Sequence, residues 1–235
     1  MPDKPVSPSI SNPPPLPRKP LRGLYAVTPD SDDDDWLASA VGAAITGGAS
    51  AVQYRNKGAD DATRQRQALR LVETCHPRGI PLIVNDSVEI AVAAGAAGVH
   101  LGHGDPDPIE ARARLGPHAI IGVSCYDDLE LAERVAGIAD HVAFGSVFGS
   151  SVKPDAVRAP LELLASARAR GWNVVAIGGI DASNAHLAVG AGADAVAVIT
   201  ALFGPPPGRT LGEIQRAARE LVAALAGIPA RSNTL

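Results

Sequence analysis

The chain has 235 residues, 46% hydrophobic and only 3% aromatic, so one large domain can bury a core of Ala, Val, Ile and Leu. Twenty-one basic and 25 acidic residues give a net charge of −4, which excludes a general attraction to nucleic acid or anionic membrane and makes any anion site local. The two cysteines, Cys75 and Cys125, make no metal-ligand or redox spacing; they read as free thiols in a reducing, cytoplasmic compartment, and no apolar run approaches the roughly 20 residues that span a bilayer.

The first twenty residues carry eight prolines and no apolar central segment, so they read as a disordered extension and not as a signal peptide. Residues 227–235 read as a flexible tail, which leaves 21–226 as the folded domain. Apolar runs of strand length then recur at 24–28, 51–55, 81–85, 98–102, 119–124, 141–148, 173–179 and 194–200. Helical patterns fall at 36–46, 61–76, 87–94, 108–115, 127–137, 160–170, 182–190 and 211–225. Continuous apolar strands imply that both sheet faces are covered, and strict alternation implies a parallel sheet. Eight units predict a single α/β domain, a closed (β/α)8 TIM barrel, with an open doubly wound sheet as the alternative. Glycines in AGAAGVHLG (94–102) and GAGADAVAVIT (190–200) suit helix C-caps that lead straight into strands.

In such a barrel the ligand site gathers where strands end. Strand two ends with Gln53, Arg55 and Lys57 on alternate positions, hence on one face, which in a closed barrel points inward. Strand three ends in Asn85 and Asp86, strand four in His100 followed by His103 and Asp105, and strand five in Ser124. The loop after strand six carries Ser150, Ser151 and Lys153; strands seven and eight end in Gly178-Gly179 and Ile199-Thr200. Arg55, Lys57 and Lys153 have no obvious local partners. With Asp86 and Asp105 they suit Mg²⁺ bridging a diphosphate, and the glycine turn suits a second phosphate. Each residue also has a plain structural reading. Asp86 alone would cap a helix, Asp105 would shape the DPDP turn, and Lys153 would be a solvated lysine. Ser124 would be a satisfied hydroxyl, Gly178-Gly179 a tight turn, His100 a barrel residue, and Asp32 to Asp35 a solvated loop and helix N-terminus. No Ser-His-Asp or Cys-His pairing points to nucleophilic catalysis.

Taken together, VQYRNK (52–57), VND (84–86), GVHLGHGD (98–105), GVS (122–124), FGSVFGSSVKPDA (144–156), AIGGI (176–180) and GADAVAVIT (192–200) resemble the thiamine-phosphate synthase family. The resemblance implies an Mg²⁺-dependent transferase of thiamine biosynthesis. It would join 4-amino-2-methyl-5-hydroxymethylpyrimidine diphosphate to a thiazole phosphate, giving thiamine monophosphate and diphosphate. It places Gln53, Arg55, Lys57, Asn85, Ser124 and Lys153 on the pyrimidine diphosphate, with Arg55, Lys57, Ser124 and Lys153 as the catalytic set. Asp86 and Asp105 are the implied metal ligands. Ser150, Ser151, Val152, Gly179, Ile199 and Thr200 are implied on the thiazole phosphate. The partners expected are small phosphorylated substrates, with no nucleic acid and no membrane; assembly into a homo-oligomer stays open. The chain departs from the family pattern at Ser87, His103, Tyr126 and Val152. A thiazole tautomerase is the nearest rival, but it would not need two metal carboxylates; an aldolase or isomerase would show an inward Schiff-base lysine or glutamate base.

Overall fold

Short runs rich in Val, Ile and Ala form eight parallel strands in the computed structural model, which describes residues 16–149, 157–206 and 208–226. The strands are β1 (Gly23–Val27), β2 (Ala51–Tyr54), β3 (Leu82–Asn85), β4 (Gly98–Leu101), β5 (Ile120–Tyr126), β6 (His141–Phe144), β7 (Val174–Ile177) and β8 (Ala195–Val198). Each pairs with the next, and β1 pairs with β8 through Gly23↔Ala195 to Ala26↔Val198, so the barrel is closed as expected. The helices are α1 (Asp34–Thr46), α2 (Asp61–Cys75), α3 (Val88–Ala94), α4 (Pro108–Leu115), α5 (Leu129–Val135), α6 (Leu161–Ala169), α7 (Ala185–Gly190), α8 (Thr200–Phe203) and α9 (Leu211–Ala226).

Alternation along each strand divides the core in two. Outward residues such as Leu24, Val52, Val84, Val99, Val123, Val142 and Val196 pack under the helices. Inward residues, including Tyr25, Val27, Ala51, Ile83, Ile120, Ala143, Val175, Ala195 and Ala197, fill the barrel. This fill is mostly small, which leaves room for a few large polar groups. Gly98 has a packing reason: a Cβ there would lie 1.8 Å from the Ile120 carbonyl oxygen of the neighbouring strand.

Several boundaries differ from the sequence expectation, each with a local cause. Helix α1 starts at Asp34, because the Asp33 carboxylate accepts from the Trp36 N–H and caps it. Strand β6 stops at Phe144 and does not reach residue 148. Beyond it Ser146 N–H donates to Val157 O at 2.8 Å and Ala159 N–H to Ser146 O at 3.0 Å, which ties the loop to itself. The one-turn helix α8 was not expected at all. At the N-terminal end of the barrel, Arg18 bonds Asp140 and, at 3.3 Å, Pro117 O, so the extension is tied down before residue 21. No helix among the described residues is long and apolar enough to cross a membrane. Cys75 and Cys125 are free and buried.

Candidate active site

The C-terminal ends of β2 to β5 bring Gln53, Arg55, Lys57, Asn85, Asp86, Asp105 and Ser124 to one arc of the mouth. The end of β2 is held by the turn after β1. Thr28 Oγ1 accepts from Arg55 N–H at 2.8 Å and donates to Arg55 O at 2.9 Å. The outward residues Tyr54 and Asn56 both bond Gln67 of α2, at 2.8 and 3.1 Å. With those two fixed outward, Gln53, Arg55 and Lys57 must face in, as their spacing predicts.

Two of the three cations, Arg55 and Lys57, do have partners, which corrects the sequence reading for those two. Arg55 Nη1 lies 2.8 Å from Asp30 Oδ1, and Lys57 Nζ lies 3.4 Å from Asp86 Oδ2. Asp30 also accepts from Lys57 N–H at 3.2 Å. Asp30 sits at the end of strand one, the one strand end that the motif reading passed over. Tyr25 and His141 were missed as well. Tyr25 is inward on β1 and its hydroxyl accepts from Gln53 Nε2 at 3.0 Å. Both residues alternate with small apolar neighbours on inward positions, and that was the available signal.

Asp86 does not cap α3. Ser87 does, accepting from Ile90 N–H at 3.2 Å. Asp86 instead has φ +67°, a left-handed conformation that Asp tolerates better than most residues, and its N–H donates to His100 O at 2.8 Å. Asp105 is partly the turn residue of the plain reading, since it accepts from Gly102 N–H at 2.6 Å. It also lies close enough to Asp86 for the two carboxylates to influence each other. Burial, with Asp86 alongside, pushes the Asp105 carboxyl above the usual carboxylate range; the Gly102 N–H and Lys57 oppose this. Two facing carboxylates are hard oxygen donors with unbalanced charge, a set that fits a divalent cation such as Mg²⁺. Among the described residues no group of three or more His, Cys, Asp or Glu side chains gathers to hold a metal. A cation here would draw its other ligands from phosphate oxygens and water.

Ser124 Oγ lies 2.9 Å from His100 Nε2. Nearby, His103 N–H donates to Tyr126 OH at 3.1 Å, so two departures from the family pattern touch each other. On the opposite arc, Gly178 and Gly179 have φ +101° and +66°. A Cβ on Gly179 would lie 2.4 Å from Gly149 O, so both glycines are explained by the turn and by the close approach of the β6 loop. Ile199 precedes α8 and Thr200 opens it. Ser150, Ser151, Val152 and Lys153 lie outside the described residues.

The family profile described as thiamine monophosphate synthase matches residues 24–202. A protein of Chromobacterium violaceum named thiamine-phosphate synthase is 55% identical over 184 residues, covering 78% of this chain and 89% of its own. One of Methylobacillus flagellatus with the same name is 49% identical over 202 residues, 86% of this chain and 94% of its own. The solved thiamine phosphate pyrophosphorylase of Pyrococcus furiosus superposes with a TM-score of 0.74 at 32% identity, covering 87% of this chain and 96% of that one.

Proposed function

The chain belongs to the thiamine monophosphate synthase family, and from that premise we propose that its barrel mouth joins a pyrimidine diphosphate to a thiazole phosphate. It is an enzyme, a transferase of thiamine biosynthesis, acting on small phosphorylated substrates. The observation that carries the reading of the mouth is the meeting of Asp86 and Asp105 beside Lys57, with Arg55 and Gln53 on the same inward edge.

Asp86 and Asp105 would hold Mg²⁺. When bound, the ion supplies charge neutralisation for a departing diphosphate. Arg55 presents a planar fork that suits bidentate binding of phosphate oxygens, and Lys57 a compact charge. Their present ion pairs are solvent-exposed and worth about 0–1 kcal/mol each, so an arriving anion displaces them at little cost. Gln53 is fixed through Tyr25, and it and Asn85 orient the pyrimidine from the barrel side. Ser124 and Lys153 complete the diphosphate contacts. The thiazole phosphate is assigned to the other arc: Ser150, Ser151, Val152, Gly179, Ile199 and Thr200. Once the diphosphate leaves, the pyrimidine-methyl cation is captured by the thiazole nitrogen. The reaction therefore asks for charge neutralisation and alignment, and not for a strong base. The catalytic unit proposed is 21–226, and the buried free thiols support a cytoplasmic setting.

A coupling assay tests this. Thiamine phosphate is followed as thiochrome fluorescence from the two substrates, with Mg²⁺ or with chelator. Metal-dependent product is expected; folded protein that makes none removes the reading.

A further inference from the structure

Asn85, His100, Gly122 and His141 stand side by side on four neighbouring strands, each in register with the next. Across the glycine the two imidazoles lie edge to edge and nearly parallel, with centroids 5.4 Å apart and planes at 24°. Gly122 is what permits this. A Cβ there would lie 2.1 Å from His141 Nε2 and 2.5 Å from His100 Nδ1, inside the line that joins the rings. His100 Nδ1 and His141 Nε2 are 3.3 Å apart, and His100 Nε2 is 2.9 Å from Ser124 Oγ. Both rings are buried, at 7% and 1% exposure. His141 Nδ1 has no hydrogen-bond partner among the described residues. Tyr25 meets the His141 ring only edge-on, with centroids 6.0 Å apart.

We propose that His141 and His100 form a one-way hydrogen-bond relay that fixes the Ser124 hydroxyl as a donor into the mouth, which makes both histidines positioning residues. The proposal rests on the reading of Ser124 as a diphosphate contact.

The direction follows from proton counting. Facing ring nitrogens 3.3 Å apart share one proton, and two adjacent rings this deeply buried leave no solvent to support a charge on either. Two arrangements remain. In one, His141 carries its proton on Nε2 and donates to His100 Nδ1; His100 then carries its own on Nε2 and donates to Ser124 Oγ. In the other, every bond runs backwards. The reverse arrangement puts the His141 proton on Nδ1, a buried N–H with nothing to receive it. Orphaned buried donors are rarer and costlier than under-used acceptors. The forward arrangement leaves only a lone pair unused there. It also decides what Ser124 offers. A hydroxyl that accepts from His100 keeps its own proton free for a phosphate oxygen. A hydroxyl that donates to His100 shows the anion only lone pairs, and repels it.

The first test is the tautomers themselves, read in the substrate-free protein by long-range ¹H–¹⁵N correlation of the imidazole rings. Both histidines are expected as neutral Nε2–H forms. A proton on His141 Nδ1, or a charged ring, overturns the relay. The second test uses His141→Gln, whose amide can still donate, against His141→Met, which has similar bulk and no donor. The Met variant is expected to bind inorganic diphosphate with Mg²⁺ about tenfold more weakly by calorimetry, the scale of one lost hydrogen bond to a charged group. The Gln variant should stay within about threefold of wild type. In a Ser124→Ala background the Gln–Met difference should vanish. A merely structural role would favour the apolar Met and leave diphosphate binding equal in the two, and that result rejects the proposal. Diphosphate binding needs no turnover, so a relay that behaves as expected in a protein that makes no thiamine phosphate would fault the proposed function and not the relay.

Discussion

Two pairs of aspartates sit at opposite ends of the same barrel and are treated in opposite ways. At the N-terminal end, Asp140 and Asp194 each immediately precede a strand. Asp140 accepts from Ile121 N–H at 2.8 Å and pairs with Arg112 at 2.7 Å. Asp194 accepts from Val174 N–H at 3.0 Å and pairs with Arg168 at 2.9 Å. Each carboxylate is nearly buried, tied to a neighbouring strand and neutralised by a helix arginine. At the C-terminal end, Asp86 and Asp105 are neighbours, and the one cation paired with them is the half-exposed Lys57, on Asp86. Asp86 reaches that place only through a left-handed backbone. Charges that hold the fold are satisfied by the fold. The charges proposed to meet a ligand have fewer partners, which is the pattern expected where a binding site carries some cost in the resting state.

The largest break in this comparison should come from the mouth. Asp86→Asn keeps the shape and a residue type that accepts φ +67°, but removes the charge. Turnover is expected to fall by about 10³-fold, roughly 4 kcal/mol of barrier, with thermal stability unchanged or slightly raised as Asp105 loses its repulsive neighbour. Steady-state kinetics over a range of Mg²⁺ beside a melting curve would check it. Undiminished kcat would mean that Asp86 is not a metal ligand.

The barrel interior lies between the two ends and gives the next effect. Burial lowers the His100 pKa from its ordinary 6.5 to about 4, only partly opposed by Asp86, and lowers His141 well below its ordinary value. Both are uncharged in the fold, so the unfolded chain takes up protons first as pH falls. The stability that His100 contributes is whole above about pH 6.5 and is lost as pH drops through about 4, on the order of 3 kcal/mol. Urea midpoints measured from pH 7 to 4 should fall in wild type. They should fall less in His141→Met, which has one fewer ring to protonate. A wild-type midpoint that is flat across this window would contradict the buried neutral pair.

Much of this was legible in the sequence, for uneven reasons. Strand alternation and count gave the closed barrel, because an apolar run with no wet face has few other places to go. The inward set Gln53, Arg55, Lys57 followed from period two alone. What could not be read was who answers whom across the chain. Asp30 meets Arg55 from twenty-five positions away in the chain, and His141 meets His100 only because Gly122 stands between them in register. Ser87 took the cap that sequence alone would give to Asp86, a choice between adjacent residues that propensity does not resolve. Helix α8 is a single turn, too short to show a period.

The smallest effects belong to the N-terminal end, and they sharpen the contrast because they should touch stability alone. Asp140→Ala strips the Ile121 N–H of its acceptor and leaves Arg112 with only the carbonyls of Gly116, Ala119 and Ile138. That is a buried unpaired donor beside an uncompensated charge, expected to cost about 2–3 kcal/mol of unfolding free energy. Arg18→Ala removes only the outer, half-exposed partner of the same carboxylate, so its cost should stay within about 0.5 kcal/mol. Neither variant should alter kcat or KM per folded molecule, since the barrel's length separates them from the mouth. The two are best measured together, by urea unfolding and by turnover under conditions where both proteins are folded. A loss of kcat in Asp140→Ala at full folding would mean that the two ends are coupled, and that the division of labour between the aspartate pairs is drawn too sharply.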